Sequence, residues 1–599
     1  MAVNSTGLRS WSPSSFEEVA SGIARGITEH GVVPRSLTVE VALYGLITFA
    51  ALIVRLAALG RWPLLENEAH TALAAWRALQ GAPPVRAFDY VPLLYDANLL
   101  LFALSQASDA AVRLLPAFMG AALVLLPYFC RDVLGRQGSL LASLLLAFAP
   151  TWVFFSRTAE GAILIATLSG VILLSVSRYL QEGHAGRLQL AFVALGLGLT
   201  AGPGMYTFLL YAFLYGGVWW LTQRDDVPRN RLRRLLEGAF TRRNVLSLVG
   251  TFLLFGSAFL TNPGGIGASV NLGGQWVRAL SSEADLSSLA LVKTLLTYEF
   301  LTMALALVGL VWGLRQKDTV TLFLALWIFW GLLLSIPLGH REPRWLPNLL
   351  LPLVILAARG FQYLWDHVLA GAGWDEGIAF WVMVALTAFG FLELFAFTHT
   401  AQERYLFYAA GGCLMLLAMW VACWFWLGRR GALAVGAGLL LLSMGIMTIR
   451  ASTAVAYQTG RDAREGLVYR PASMQLRLLE RFLLDLSSRR TGGLHALDID
   501  YEEALDPWMS WYLRDYPNAR SVPLADSQTA TSALITSERS EKQWPAGYAG
   551  QRFYLWEHHP AQDLSGRQWL RWFFYRDAVG TIEARQVQVW IRLGGDGEQ

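Results

Sequence analysis

Charged residues are scarce in this chain. Of its 599 residues, 15% are charged and 55% are hydrophobic. Soluble domains carry about 25% charged residues, so the composition excludes an ordinary soluble protein. Apolar runs of about 17 to 23 residues recur along the chain, and a helix needs about 20 such residues to cross a bilayer. The sequence therefore predicts an all-α polytopic membrane protein.

Cysteine and lysine are scarce too. The three cysteines lie in apolar runs without the spacing of metal ligands, so neither a disulfide framework nor a cysteine metal site is predicted. Almost all of the 48 basic residues are arginines, and they gather at the ends of the apolar runs rather than on one surface. This distribution gives no sign of nucleic-acid binding. No Walker or glycine-rich nucleotide motif occurs, which argues against a nucleotide-driven pump.

The apolar segments predict about thirteen transmembrane helices. Residues 90–106 form a rival span, but Pro92 and Asp96 interrupt it, so we interpret it as an interfacial helix. Residues 1–38 are mostly polar, with apolar positions at helical spacing, and are predicted to form a cytoplasmic amphipathic segment. The predicted spans are approximately 39–59, 111–130, 138–156, 161–178, 189–200, 205–221, 245–261, 297–314, 319–337, 345–365, 377–397, 406–428 and 431–449.

The arginines predict the orientation of these spans, because cytoplasmic loops carry an excess of basic residues. With the N-terminus inside, the basic connections all fall on the cytoplasmic side: residues 131–136, 178–187, 222–244, 315–317 and 429–430. Residues 39–449 then form the transmembrane domain, and residues 450–599 lie outside. We therefore predict a multi-pass protein of the plasma membrane with an extracytoplasmic C-terminal domain.

Residues 450–599 differ in composition from the spans. Apolar residues at helical spacing mark one amphipathic helix: Leu476, Leu479, Leu483 and Leu486. A second helix is predicted near Asp506–Arg514, and β-like runs occur at Leu494–Ile499, Ala533–Ile535, Phe553–Trp556 and Val587–Ile591. This pattern predicts a small C-terminal α/β domain.

Three polar residues, Glu66-Asn67-Glu68, follow the first span and precede a short amphipathic helix. Acidic groups are costly beside hydrocarbon, which favours a functional role at the outer surface. Either glutamate could take a proton from an acceptor hydroxyl. Residues two apart point to different faces of a helix, so at most one is expected to face a substrate. The structural alternative is a helix start, with Asn67 as N-cap and Glu68 at the positive end of the helix dipole.

Two further polar groups lie at predicted outer ends of spans. Arg157 and Glu160 stand between two spans joined by almost no loop. They form either an interfacial ion pair or a second substrate-orienting carboxylate that Arg157 holds. Arg113 stands close to Asp109, where a structural ion pair is expected.

A basic and aromatic group stands at the predicted outer start of a late span; its members are His340, Arg341, Arg344 and Trp345. The two arginines could neutralise a phosphate leaving group, whose developing charge must be stabilised. The alternative is that Arg344 and Trp345 anchor the helix in the membrane interface. Both interpretations remain open.

The order of these motifs resembles the GT-C membrane glycosyltransferases of the protein mannosyltransferase and aminoarabinose transferase type. The matching segments are Leu64-Leu65-Glu66-Asn67-Glu68-Ala69, Asp109-Ala110-Ala111-Val112-Arg113, and Phe155-Ser156-Arg157 with Glu160. The family's turn typically reads Asp-Glu-Ala, with the Asp as base, so the match places Asn67 at the Asp and Glu68 at the Glu. The segment Arg344-Trp345-Leu346-Pro347 resembles the family's basic-aromatic-proline segment, which is implicated in binding the lipid phosphate.

The resemblance implies a GT-C fold and transfer of a sugar, with inversion, from a polyprenyl-phosphate donor to a glycan, lipid or protein acceptor. Glu66 or Glu68 would be the base, and Glu160 would orient the reactants. Arg341 and Arg344 would hold the phosphate. The residues expected to contact substrate are Asn67, His70, Arg157, His340, Arg341, Arg344 and Trp345. No cofactor is firmly implied, and a divalent metal is left open.

The C-terminal segments resemble the archaeal and bacterial branch associated with N-glycosylation flippases; they are Glu465–Tyr469, Pro471–Ser473 and Trp511–Asp515. Because Asn67 replaces the family's Asp, a second function stays open: a non-catalytic membrane partner of a lipid-linked glycan flippase or a larger complex. A transporter is a third alternative. Charges inside the spans, with Glu393 as the main exception, are fewer than ion coupling usually needs.

Overall fold

The computed structural model describes residues 38–82, 90–222, 235–281, 289–335, 342–400, 402–460, 465–467, 471–523, 531–537, 548–558, 572 and 583–593. The predicted amphipathic segment at the N-terminus, most of the basic connection at 222–244, and two predicted site residues, His340 and Arg341, lie outside the described residues.

Helices make up most of the structure, and all those before residue 460 belong to the region of the predicted spans. They are α1 (Val39–Leu56), α2 (Glu66–Leu79), α3 (Pro92–Leu104), α4 (Asp109–Val112), α5 (Leu114–Leu123), α6 (Arg131–Leu134), α7 (Arg136–Phe148), α8 (Pro150–Ser156), α9 (Ala162–Glu182), α10 (Ala185–Ala201), α11 (Gly204–Thr222), α12 (Arg242–Gly256), α13 (Gly264–Ser281), α14 (Ala290–Tyr298), α15 (Phe300–Arg315), α16 (Thr319–Ser335), α17 (Leu346–Leu364), α18 (Trp374–Thr400), α19 (Glu403–Trp426) and α20 (Gly428–Thr453).

Every predicted span coincides with one of these helices or with a pair of them. By length and composition, seven helical segments of the described chain could cross a membrane, or nine when each of two bent pairs counts as one span. Four shorter apolar helices, which include α3, α10 and α16, accompany them. The all-α multi-pass architecture is thus confirmed, and the number of thirteen crossings stays a prediction.

The two bent pairs meet at a buried carboxylate. Helices α7 and α8 are bent by 54° ahead of Pro150, and α14 and α15 by 99° at Glu299. The Glu299 side chain, which is 1% exposed, accepts hydrogen bonds from the Thr151 amide (3.2 Å) and the Thr302 hydroxyl (2.9 Å). It thus satisfies amide and hydroxyl groups at the starts of α8 and α15, where a helix has no internal acceptor for its first amides.

Small residues allow close packing between α15 and α17. A Cβ atom on Gly309 would lie 2.1 Å from the Leu356 carbonyl oxygen, and one on Gly360 would lie 2.2 Å from the Leu305 carbonyl oxygen. The two backbones are therefore in direct contact, as expected where van der Waals packing rather than burial from water holds membrane helices together.

The C-terminal region contains α21 (Gln475–Thr491), α22 (Trp508–Tyr512) and a five-stranded sheet. Its strands are β1 (Ile499–Glu502), β2 (Ala519–Val522), β3 (Ala533–Ser537), β4 (Tyr548–His558) and β5 (Glu583–Arg592), in the order β2-β1-β3-β5-β4. Strand β1 pairs in parallel with β2 and β3, and β5 pairs antiparallel with β3 and β4. The predicted α/β character is confirmed.

The predicted elements of this region fit the observed ones unevenly. Three of the four leucines predicted for one helix face are buried in α21: Leu476, Leu479 and Leu483. The predicted run Leu494–Ile499 reaches β1 only at its last residue, and no strand was predicted at Ala519–Val522. The latter strand has two exposed residues and no alternation of apolar and polar side chains, which is why its sequence gives little signal.

Candidate active site at the acidic turn

The acidic turn is the first turn of α2. Helix α2 begins at Glu66, and the Glu68 carboxylate accepts a hydrogen bond from the Leu65 amide at 2.8 Å, which caps the helix start. Glu66 and Asn67 are exposed, whereas Glu68 is fully buried. His70, also predicted to contact substrate, is half-buried. Glu66 and Glu68 therefore lie on different faces of α2, as their spacing predicted.

Glu68 forms a buried, two-pronged ion pair with Arg113. The guanidinium Nε lies 3.0 Å from Oε1 and its Nη2 lies 2.7 Å from Oε2, with both side chains 1% exposed or less. Glu68 Oε1 also accepts a hydrogen bond from the Ala159 amide at 2.7 Å. Because both carboxylate oxygens are engaged by buried donors, this geometry argues against Glu68 as a base and favours a role in holding the turn.

Arg113 also holds the backbone that leads into the turn. Its guanidinium donates hydrogen bonds to the carbonyl oxygens of Leu59 (3.1 Å), Trp62 (2.9 Å) and Pro63 (2.9 Å). Arg113 thus forms a structural ion pair, as expected, but its partner is Glu68, 45 residues earlier in the chain, and not the neighbouring Asp109.

Asp109 instead binds the C-terminal region. Its carboxylate accepts hydrogen bonds from Arg477 (2.6 Å), from the Trp511 indole (2.8 Å) and from the Tyr512 hydroxyl (3.1 Å). Trp511 and Tyr512 belong to a segment that the sequence marked only by its family resemblance, and their contact with Asp109 was not predicted. The aromatic run around α22 in an otherwise polar domain was the signal that could have drawn attention to it.

Arg157 caps the end of the first span. Its Nη1 donates hydrogen bonds to the carbonyl oxygens of Val54 (2.9 Å), Arg55 (2.8 Å) and Ala57 (2.8 Å), at the negative end of α1. Arg157 is 7% exposed, and its guanidinium lies over the Tyr457 ring. The structure thus gives Arg157 a structural role and does not place it in the cavity that Glu160 lines.

Glu160, Arg344 and Trp345 lie together at a narrow cavity of about 20 Å³, with Asn348 and Gly204 also in its wall. The side chain of Arg344 is 34% exposed, and its Nε lies 2.6 Å from Glu342 Oε2. Its guanidinium lies over the Trp345 ring. The structure therefore brings together one predicted carboxylate and two residues of the predicted phosphate group.

The backbone joins this cavity to the acidic turn. Glu160 directly follows Ala159, whose amide donates to Glu68. The buried side of the turn is therefore hydrogen-bonded to the residue that precedes Glu160 in the chain, and Glu66 lies on the exposed side of the same turn.

A larger apolar cavity of about 360 Å³ lies among α5, α7, α9, α16 and α17. It shares two walls with the narrow cavity: α9 contributes Ile165 to the narrow cavity and Leu173 to the large one, and α17 contributes Asn348 and Leu351, respectively. Its lining is overwhelmingly hydrophobic, with arginine and aspartate only at the end near Asp132. Such a cavity suits a hydrocarbon chain rather than a sugar.

Within the described ranges, no group of three or more His, Cys, Asp or Glu side chains is arranged to hold a metal ion. We therefore assign no residues to a divalent metal site, and the metal requirement stays open.

Comparison with known proteins identifies the fold. No protein-family model and no curated protein matches the sequence. Among solved structures, ArnT from Cupriavidus metallidurans bound to undecaprenyl phosphate aligns with 91% of this chain and 97% of its own, with a TM-score of 0.56 and 13% identity. This chain has the GT-C fold. ArnT from the same organism in the apo state aligns with 83% of this chain and 93% of its own, with a TM-score of 0.53 and 15% identity.

The expectation of a GT-C membrane glycosyltransferase fold is thereby confirmed. At this level of identity the likeness concerns the fold, and the assignment to the branch associated with N-glycosylation flippases stays a prediction. Within this fold, the backbone just before the acidic turn is bound by Arg113 of the helical domain and by Trp508 of the C-terminal region.

Proposed function

We propose that this protein transfers a sugar from a polyprenyl-phosphate donor to an acceptor hydroxyl or amide on the extracytoplasmic side of the plasma membrane. The observation that carries the proposal is the asymmetry of the acidic turn: the Glu68 side chain is held in a buried ion pair, and Glu66, two residues earlier in the same helical turn, is exposed. A carboxylate on a fixed backbone beside an open surface suits proton transfer.

In the proposed reaction, Glu66 takes the proton of the acceptor as the acceptor attacks the anomeric carbon. The bond between that carbon and the lipid phosphate breaks with inversion, and the negative charge passes to the phosphate. Arg344 stabilises that charge, and Glu160 orients the reactants beside it. Arg341, His340, Asn67, His70 and Trp345 remain proposed substrate contacts.

The apolar cavity supports the lipid part of this proposal. It is lined by later residues of α9 and α17, the two helices whose starts follow Glu160 and Arg344. A phosphate near Arg344 would thus have hydrophobic walls below it for the first part of a prenyl chain. The ArnT structure of similar fold was solved with undecaprenyl phosphate bound, which agrees with a donor of this chemical class.

The test is reconstitution of the full chain in proteoliposomes with a panel of polyprenyl-phosphate sugars. Transfer is expected to release polyprenyl phosphate in step with glycosylated acceptor, and the same sugars on nucleotides are expected to be inactive. Repeating the assay with EDTA and with added Mg²⁺ or Mn²⁺ decides the open question of a divalent metal. If no lipid-linked sugar in the panel is consumed, the proposal is replaced by the non-catalytic partner function. The presence of Asn67 where the resembling family has Asp favours that alternative.

The proposed orientation predicts the labelling of single cysteines in whole cells. In a chain whose three native cysteines are replaced, a membrane-impermeant maleimide is expected to label Ser488→Cys on α21 and to leave Gln316→Cys, between α15 and α16, unlabelled until the membrane is permeabilised. Both positions are exposed, so access to the residue itself does not differ. The reverse pattern would place the C-terminal domain in the cytoplasm and contradict the proposed side of transfer.

A further inference from the structure

Both backbone polar groups of Leu64, two residues before Glu66, are bound by side chains of the C-terminal region. The Leu64 amide donates a hydrogen bond to the Tyr512 hydroxyl at 2.8 Å, and the Leu64 carbonyl oxygen accepts one from the Trp508 indole at 2.9 Å. Leu64 is fully buried, and the two aromatic residues are 6% and 2% exposed. A buried stretch of backbone is therefore held by side chains more than 440 residues away in sequence.

The Tyr512 hydroxyl is a link between two parts of the membrane domain. It accepts from the Leu64 amide and donates to Asp109 Oδ2 at 3.1 Å, so one oxygen joins the acidic turn to the start of α4. Burial raises the pKa of Tyr512 well above its ordinary value. The hydroxyl therefore keeps its proton at neutral pH and can donate to the carboxylate.

The remaining backbone groups that lead into the turn are held from the other side. Arg113 binds the carbonyl oxygens of Trp62 and Pro63, and Glu68 binds the Leu65 amide. The segment from Trp62 to Leu65 has no regular secondary structure. Its path is nevertheless fixed by side chains of the helical domain and of the C-terminal region. Glu66 is the next residue.

From this arrangement we infer that Tyr512 and Trp508 are positioning residues that set the place of the Glu66 carboxylate, so that the C-terminal domain completes the active site. The inference rests on the proposed function, in which Glu66 is the base. A general base must be held within about 0.5 Å of its productive position, and a displacement of about 1 Å can cost about a hundredfold in rate. Losing one of the two bonds to Leu64 would allow a displacement on that scale.

Tyr512→Phe tests the inference, because it removes one oxygen and keeps the buried ring. The matched control is Tyr516→Phe, four residues later, whose buried hydroxyl has no hydrogen-bond partner in the described part of the chain. Hydrogen exchange of the full-length protein in detergent is expected to be about five- to tenfold faster at the Leu64 amide in Tyr512→Phe, and unchanged in Tyr516→Phe. Equal exchange in the two variants would overturn the inference.

The kinetic readout separates positioning from general stability. With a polyprenyl-phosphate sugar that the wild type uses, Tyr512→Phe is expected to lower kcat about tenfold or more while KM for the donor stays within about twofold. Trp508→Phe, which removes the other bond to Leu64, is expected to act in the same direction. Faster exchange at Leu64 with an unchanged kcat would overturn the positioning role. A wild-type protein that transfers no sugar would overturn the proposed function. The exchange rate of the Leu64 amide would then still show whether the Tyr512 hydroxyl holds the backbone at Leu64.

Discussion

Replacing Glu66 by glutamine is expected to lower the rate of sugar transfer by about 10²- to 10⁴-fold, because an amide cannot accept the proton of the acceptor at neutral pH. Glu66 is the exposed first residue of α2, and glutamine occupies nearly the same volume, so the helix start and the fold are expected to stay intact. The measurement is the initial rate of transfer from a polyprenyl-phosphate sugar in proteoliposomes, with the thermal unfolding of each variant recorded beside it.

The chain offers a close control in Glu403, which is also the exposed first residue of a long helix, α19, and lies on the proposed outer side. Glu403→Gln removes the same charge from the same kind of helix start and is expected to leave the rate within about twofold of the wild type. Equal rates for Glu66→Gln and the wild type would exclude Glu66 as base and move the role to Glu160. Equal losses in the two variants would point to surface charge rather than chemistry.

Much of the helical domain could be predicted because long apolar runs leave a strong signal. Each predicted span coincides with a helix, including 138–156, whose bend at Pro150 follows from the missing amide and fixed φ of proline. The bend between α14 and α15 at Glu299 is not marked by a proline in the sequence. Glu299, at this bend, accepts a hydrogen bond from Thr151, which lies 148 residues earlier, and contacts of this kind leave no periodicity in the sequence.

The sequence indicated several residues of the candidate site but not the partners that these residues contact. Spacing alone separated Glu66 from Glu68, since a helix turns about 200° over two residues. The partner of Glu68 could not be derived, because Asp109 stands nearer to Arg113 in sequence. The role of Arg157 was hidden for another reason: its partners are backbone carbonyl oxygens at the end of α1, which every residue type possesses and which no motif records.

Replacing Arg113 by leucine is expected to destabilise the fold strongly. Arg113→Leu would leave the Glu68 carboxylate charged and buried, and would leave the carbonyl oxygens of Leu59, Trp62 and Pro63 without their donor. Breaking a buried ion pair by removing one partner costs about 3–5 kcal/mol of the free energy of unfolding. A large fall in the thermal unfolding temperature in detergent, with loss of most folded protein at 37 °C, is the expected result.

Arg136→Leu is the matched control, since Arg136 forms an ion pair of similar length with Glu40 (2.9 Å) but is 77% exposed. Its loss is expected to cost at most about 1 kcal/mol, because Arg136 is solvated and Glu40 keeps its ion pair with Arg131. The double variant Glu68→Met with Arg113→Leu separates charge from packing: removing both charges should restore part of the stability lost in Arg113→Leu. If the double variant is as unstable as the single one, the bonds from Arg113 to the three carbonyl oxygens, rather than the pairing with Glu68, hold the turn in place.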